Sequence, residues 1–255
     1  MNSLLLDIGN SRLKWGVFDK GAIRRTGHIR QSTIRERGLA ALASRLPRKI
    51  DAAFACNVAG ATLAVELARL LKSHCNCEVK YARSEAQACG VTNGYRQPGR
   101  LGVDRWVAMI AARAACDTSS IVVDAGTAIT IDALDDDGQH LGGQILPGIA
   151  SMTESLDTNT SDIPRIRRRI PGRAMGIFGG TTATAVSQGV IGAAVGAVER
   201  AVRVLREEGY DPTVFLTGGD APCLLEALVE EPVHSPHLVL EGLARILESR
   251  GEVFV

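Results

Sequence analysis

No stretch of this chain approaches the roughly 18 consecutive apolar residues that a membrane-crossing helix requires. The first apolar run, Leu4-Leu5-Leu6, meets Asp7 too early for a secretory leader and has no basic segment ahead of it, so a cytoplasmic protein is expected. An excess of charge of one sign is also missing. Against 28 Asp and Glu stand 29 Lys and Arg, a net charge of +1, which points to neither nucleic acid nor an anionic membrane and leaves a small-molecule partner. The six cysteines, Cys56, Cys75, Cys77, Cys89, Cys116 and Cys223, show no C-x-x-C spacing, and the five histidines form no H-E-x-x-H. Buried reduced thiols are expected, and no zinc site. The familiar nucleotide fingerprints are absent too: no lysine follows a glycine, which removes G-x-x-x-x-G-K, and no two glycines are separated by a single residue, which removes G-x-G-x-x-G.

What is present is a repeated unit. Leu4-Leu5-Leu6-Asp7-Ile8-Gly9-Asn10-Ser11 is an apolar strand that delivers one carboxylate into a turn, and a second strand-like run, Leu13 to Phe18, leads away. The turn suits a phosphate with its magnesium ion, but Asp and Gly are also ordinary turn residues, and both readings stand for one copy. Ile121-Val122-Val123-Asp124-Ala125-Gly126-Thr127, followed by Ala128 to Leu134, repeats the pattern. With 255 residues there is room for two modest domains. Two strand-Asp-turn-strand units, each opening one half of the chain, suggest two similar domains facing each other across a nucleotide.

Between these units the pattern predicts a third antiparallel strand over Ala22–Ile29, a helix over Thr33–Leu46 ended by Pro47, a strand over 51–58, a helix over 62–71 and a short strand over 78–82. A polar loop carrying Asn93-Gly94-Tyr95 leads to Leu101-Gly102-Val103-Asp104-Arg105-Trp106. A helix is predicted over Val103–Ala115, with Asp104 and Arg105 in its first turn. There the helix dipole and the arginine both favour an ionised carboxylate: either a charge-capped helix with a surface arginine, or a base that accepts a hydroxyl proton beside a guanidinium able to bind a substrate carboxylate. A polar break over 117–120 marks the expected domain boundary, giving domains 1–118 and 119–255.

In the second half, Asp135-Asp136-Asp137-Gly138 reads as an exposed acidic hairpin tip rather than a calcium site. Gly142 to Gly148 is a glycine-rich strand and turn before a helix over 149–156, and Pro164 to Arg173 is a basic loop. A long helix over 181–208 carries Gly189, Gly192 and Gly196, whose spacing implies a face that another backbone approaches, in the core or at a dimer seam. A strand over 213–216 runs into Thr217-Gly218-Gly219-Asp220, a flat platform for adenine or ribose. Helices over Ala221–Val229 and Leu238–Glu248 finish the second domain.

The ordered set Asp-x-Gly-Asn-Ser, Asp-x-Gly-Thr and Gly-Gly after a strand resembles the actin, sugar-kinase and Hsp70-like ATPase superfamily. That resemblance implies an α/β fold of two similar layered domains of the actin-like (ribonuclease H-like) type with the active-site cleft between them. Within it, Asp7 to Ser11 with Lys14 and Trp15, Asn93-Gly94-Tyr95, Gly102 to Trp106, Asp124 to Thr127, Thr182 ahead of Gly189, Thr217-Gly218-Gly219 and Leu240 to Leu243 resemble the type III pantothenate kinases, also known as Bvg accessory factor proteins. These pieces span nearly the whole chain.

The resemblance implies transfer of the ATP γ-phosphoryl group to the primary hydroxyl of pantothenate, the first step towards coenzyme A. Asp104 matches the general base, and Gly102, Val103 and Arg105 fall in the pantothenate segment. Tyr95 and Thr182 match substrate contacts, Thr182 from the second subunit of a homodimer. Asp7, Ile8, Gly9, Asn10, Ser11, Arg12, Leu13, Lys14 and Thr127, with Gly218 and Gly219, match ATP contacts. Asp124 matches the ligand of a monovalent cation, potassium or ammonium, and Asp7 a magnesium ligand acting directly or through water. Ser11 stands where the family often has Thr. Gly179-Gly180-Thr181-Thr182 lacks the Asn common before the family threonine, which leaves Thr181 as the alternative to Thr182. Two further readings stand beside this one: a kinase for another small hydroxy acid or sugar on the same fold, and a non-catalytic nucleotide-binding regulator.

Overall fold

The computed structural model describes residues 2–160 and 176–250, and the basic stretch Pro164 to Arg173 lies outside the described residues. The chain divides into two compact units, one made of the residues up to Ala115 together with those from His237 on, the other of Cys116–Pro236.

In the first unit, β1 (Ser3–Ile8), β2 (Arg12–Asp19) and β3 (Ala22–Arg30) form an antiparallel meander. The β2–β3 turn has Lys20 at φ 49° and Gly21 at φ 75°, the double left-handed pair whose twist suits a two-residue hairpin. Two short helices follow, α1 (Gln31–Arg37) and α2 (Ala40–Ala43), where the apolar spacing predicts one. Gly38 separates them at φ 70°, a conformation that no continuous helix can contain. Next come β4 (Ala52–Asn57), α3 (Ala61–Cys75), β5 (Val79–Tyr81), the small hairpin β6 (Gln87–Ala88) and β7 (Val91–Thr92), a 3₁₀ turn over Pro98–Arg100, and α4 (Val103–Ala115). The sheet order is β3-β2-β1-β4-β5, with β4 parallel to β1 and β5 parallel to β4.

The second unit repeats this plan. Its elements are β8 (Ser120–Ala125), β9 (Ala128–Leu134), β10 (His140–Pro147), α5 (Ile149–Asn159), α6 (Thr182–Glu207), β11 (Thr213–Thr217), α7 (Ala221–Leu225) and β12 (Val233–His234). The order β10-β9-β8-β11-β12 and the strand directions match those of the first sheet. The sequence repeat is therefore a repeat of topology. In the β9–β10 hairpin, Asp135 Oδ1 accepts the Asp137 and Gln139 amides at 3.0 and 2.8 Å and so holds the turn, while Asp136 Oδ1 accepts the Ser119 amide at 2.7 Å and ties the turn to the segment entering β8.

The last helix, α8 (Leu238–Ser249), belongs to the first unit, against the expectation that it ends a domain running over 119–255. Its buried stripe of Leu240, Leu243 and Leu247 packs chiefly on α4 and also meets β1, β2 and β4. One face of the first sheet, through Leu4, Leu6 and Ile8, shares a core with Leu67 and Leu71 of α3. In the second unit, Ile121, Val123 and Ile131 share a core with Val190, Ala194 and Val198 of α6. Among the described residues, no helix is long and apolar enough to cross a membrane.

Gly242 is what lets α8 lie close to α4: a Cβ there would run into the Val107 carbonyl and come within 2.8 Å of Val107 Cγ1. Overpacking of this kind costs about 1–3 kcal/mol even after the helix propensity gained by alanine. Gly242→Ala is expected to lower the denaturant midpoint of the unit that contains β1, measured by the fluorescence of Trp15 and Trp106; an unchanged midpoint would show that the helix pair has room to spare.

Candidate active site

Asp7 is the penultimate residue of β1, and Asp124 the penultimate residue of β8. The burial along both strands follows one pattern: four buried residues, a half-buried aspartate, one buried residue and then the turn. The chain spends its apolar residues inside the sheet and releases the carboxylate only at the strand end, where water or a ligand can solvate it.

In the first hairpin the Gly9 amide donates to the Arg12 carbonyl at 3.0 Å. Gln31 pins the tip: its Nε2 donates to the Gly9 carbonyl and its backbone amide to the Ser11 carbonyl, both at 2.9 Å. Sequence reasoning missed this role, because nothing local distinguishes a buried glutamine from a surface one. Asp7 lies opposite Lys14, and Lys14 lies opposite His28, so a carboxylate, an ammonium and an imidazole form one row across three strands. Partial burial first, then the charges of Arg12, Arg45, Lys14 and Arg30, hold the His28 imidazole below its usual range. The ring therefore favours its neutral form among cations. This positive field suits an anion near Ile8, Gly9, Asn10, Ser11, Arg12 and Leu13.

The second cluster in this unit surrounds the start of α4. The Gly102 carbonyl accepts the Trp106 amide at 3.0 Å, which makes Gly102 the residue that opens the helix, ahead of Val103. Asp104 Oδ1 accepts the Arg105 amide at 2.9 Å, and a Cβ on Gly102 would sit 2.7 Å from that oxygen. Arg105 is 7% exposed; its Nη1 donates to the Tyr95 hydroxyl at 2.9 Å, and its guanidinium lies 5.7 Å from the centre of the Tyr95 ring. The Tyr95 amide in turn donates to Asn93 Oδ1 at 3.0 Å, while Asn93 Nδ2 donates to the carbonyls of Glu85 and Pro98 at 3.0 and 3.3 Å. Asn93 thus organises the loop that aims the arginine, and its place in Asn-Gly-Tyr was the available signal.

In the second unit three turns converge on Asp124. The Gly126 amide donates to the Ala128 carbonyl, and the Gly148 amide to the Thr127 carbonyl, each at 3.0 Å; the Asp220 amide donates to the Ala125 carbonyl at 2.8 Å. Gly218, just ahead of Gly219, sits at φ 99°, and a Cβ there would strike the Ala125 carbonyl and lie 2.5 Å from Asp124 Oδ1. Thr217, 1% exposed and directly opposite Asp124 in register, has a buried hydroxyl with no hydrogen-bond partner among the described residues. A carboxylate, a bare glycine backbone and an unpaired hydroxyl make an oxygen-only donor set. Such a set fits a hard cation, and Asp7 at the end of β1 offers the same ligand type.

Thr181 is the N-cap of α6, and its hydroxyl is engaged with Thr184 in a reciprocal capping box. Thr182 instead lines an open, largely apolar groove of about 630 Å³ between α5 and α6, with Met152, Ala185, Gly189 and Ala193. Nothing among the described residues lies within 4 Å of a Cβ placed on Gly189, Gly192 or Gly196. That removes the core as the reason for those glycines.

Residues 3–204 match the family model for type III pantothenate kinase. The type III pantothenate kinase of Thiobacillus denitrificans is 40% identical over 252 residues, covering 97% of each chain. That of Halorhodospira halophila is 38% identical over 248 residues, covering 94% of this chain and 95% of the relative. A Campylobacter jejuni protein assigned to the Baf family of transcriptional activators has a similar fold at 24% identity and a TM-score of 0.59, covering 98% of this chain and all of that one. The ethanolamine utilization protein EutJ of Carboxydothermus hydrogenoformans shares the fold at 18% identity and a TM-score of 0.54, over 96% of this chain and 90% of its own. Repeated actin-like sheets, two aspartates at matching strand ends and a match along almost the whole chain lead to one conclusion: the chain belongs to the type III pantothenate kinase family.

Proposed function

We propose that this chain transfers the ATP γ-phosphoryl group to the primary hydroxyl of pantothenate in the cytoplasm, as the first step towards coenzyme A, and that Asp104 is its general base. The observation that carries the reading is the Asp104–Arg105 pair. A carboxylate in the first turn of α4 adjoins an arginine that Tyr95 holds in place, which suits a substrate bearing both a hydroxyl and a carboxylate.

In this mechanism Arg105, oriented by the Tyr95 hydroxyl, binds the pantothenate carboxylate, while Gly102 and Val103 line the site with backbone. Asp104 takes the proton as the hydroxyl oxygen bonds to the γ-phosphorus and the bond from that phosphorus to the β-bridging oxygen breaks, releasing ADP. The hairpin from Asp7 to Lys14 and Thr127 hold the phosphates, and Gly218 and Gly219 form the platform for the nucleoside. Magnesium, held by Asp7 directly or through water, and potassium or ammonium, held by Asp124, would neutralise phosphate charge when bound. The unpaired Thr217 hydroxyl beside Asp124 supports the second assignment. Family likeness together with the exposed glycine face of α6 supports a homodimer in which Thr182 reaches the substrate of the other subunit.

Three measurements check these assignments. ADP release should require pantothenate and should be higher in potassium than in sodium buffer; release that ignores pantothenate would reassign the acceptor. Asp104→Asn is expected to reduce kcat by about 10²- to 10⁴-fold with ATP affinity retained, and near-normal turnover would remove Asp104 from the base role. Gly189→Arg places a long cation on the open face of α6 without touching the core. It should turn a dimer into a monomer in light scattering and reduce activity with it, whereas an unchanged mass would put the subunit contact elsewhere.

A further inference from the structure

Cys75 is the last residue of α3, and Cys77 follows two residues later, after Asn76. An extended chain would set residues two apart at roughly 6.6–6.8 Å along its axis. Here Asn76 takes the left-handed conformation, φ 55° and ψ 28°, and folds the chain back on itself. The two sulfurs consequently lie 3.2 Å apart. Cys75 is half-buried and Cys77 is 3% exposed, and all six cysteines of the chain are free thiols. Among the described residues, no third metal-ligating side chain joins them, so the pair lacks the ligand set of a structural metal site.

We infer that Cys75 and Cys77 are an oxidisable dithiol: a modification site that closes to an intramolecular disulfide by exchange with a low-molecular-weight disulfide such as oxidised glutathione. Cys75, the more accessible sulfur, enters first. Its thiolate attacks one glutathione sulfur, the glutathione S–S bond breaks, and the departing thiolate takes up a proton to leave as reduced glutathione. Cys77 then gives up its proton and attacks Cys75 Sγ, and the second glutathione departs as a thiolate that is protonated in turn. Two thiols of the protein are oxidised and one glutathione disulfide is reduced to two thiols, so electrons and protons balance. The order of the steps follows from the surroundings. Burial first, then the hydrogen bond with Cys75, pushes the Cys77 thiol up to about 12, which makes it a poor first nucleophile but leaves it in contact with the sulfur it must attack. The product ties the end of α3 to the segment entering β5, at the far end of the helix that covers the Leu4–Leu6–Ile8 face of the first sheet.

The folded full-length chain is incubated with oxidised glutathione, quenched in acid, alkylated and digested with trypsin. Cleavage after Lys72 and Lys80 gives a peptide over 73–80 that holds both cysteines and no other. The expected product is this peptide lighter by two hydrogens and carrying neither alkyl group, formed faster in the folded chain than in a urea-unfolded control. Cys77→Ser should stop at a glutathione adduct on Cys75, and Cys75→Ser should leave Cys77 alkylatable and free of glutathione. A wild-type peptide that stays doubly alkylated, that accumulates as a stable glutathione adduct, or that closes no faster than in urea would overturn the inference. The wild-type comparison decides the matter even if a variant does not fold.

Discussion

A carboxylate placed in the middle of a five-stranded sheet, with apolar layers on its faces, would lose hydration on the order of several kcal/mol with nothing to replace it. This constraint fixes where both aspartates stand. Each comes one residue before the end of the central strand, and each is preceded by four buried residues that anchor the strand. A glycine follows two residues later in both copies, because the chain must turn at once to pair antiparallel with its next strand. Each central strand also has a parallel neighbour, β4 or β11, so both carboxylates emerge at the carboxyl ends of parallel strands, the edge at which open α/β sheets bind ligands.

The two copies differ in what faces the carboxylate. Asp7 lies opposite Lys14 across the antiparallel pair, with Arg12 and Arg30 two register positions along, an environment that favours phosphate oxygens. Asp124 lies opposite Thr130 on one side and Thr217 on the other, neutral residues where Asp7 has a lysine. One backbone plan, used twice, thus sets its two carboxylates beside different neighbours, a cationic residue in one copy and neutral ones in the other.

Much of this was legible in the sequence. The Asp-x-Gly repeat gave the two central strands, and the helical periodicity of Val103 to Ala115 put Asp104 and Arg105 in one turn. Features that depend on distant residues or on one backbone angle were not legible. Gly38 broke a helix that apolar spacing alone would have continued, because periodicity does not encode φ. The helix read over 221–229 ends at Leu225, where the chain turns. Gln31 looks like a surface polar residue until the carbonyls it holds are known. The apolar stripe of α8 says that the helix is buried, not against which unit, so chain order assigned it to the wrong one.

That last point bears on synthesis. A chain made from its N-terminus completes the contiguous stretch 116–236 before α8 exists. The unit that begins the chain is therefore the last to be finished. Until Leu240, Gly242 and Leu243 leave the ribosome, α4 lacks the helix on which it chiefly packs, and the sheet bearing Asp7 lacks the contacts that helix makes with β1, β2 and β4. Helix α8 thus acts as a completion signal for the first unit: a chain cut after residue 236 carries every residue from Asp7 to Gly219 and still lacks the helix that packs on α4 and β1.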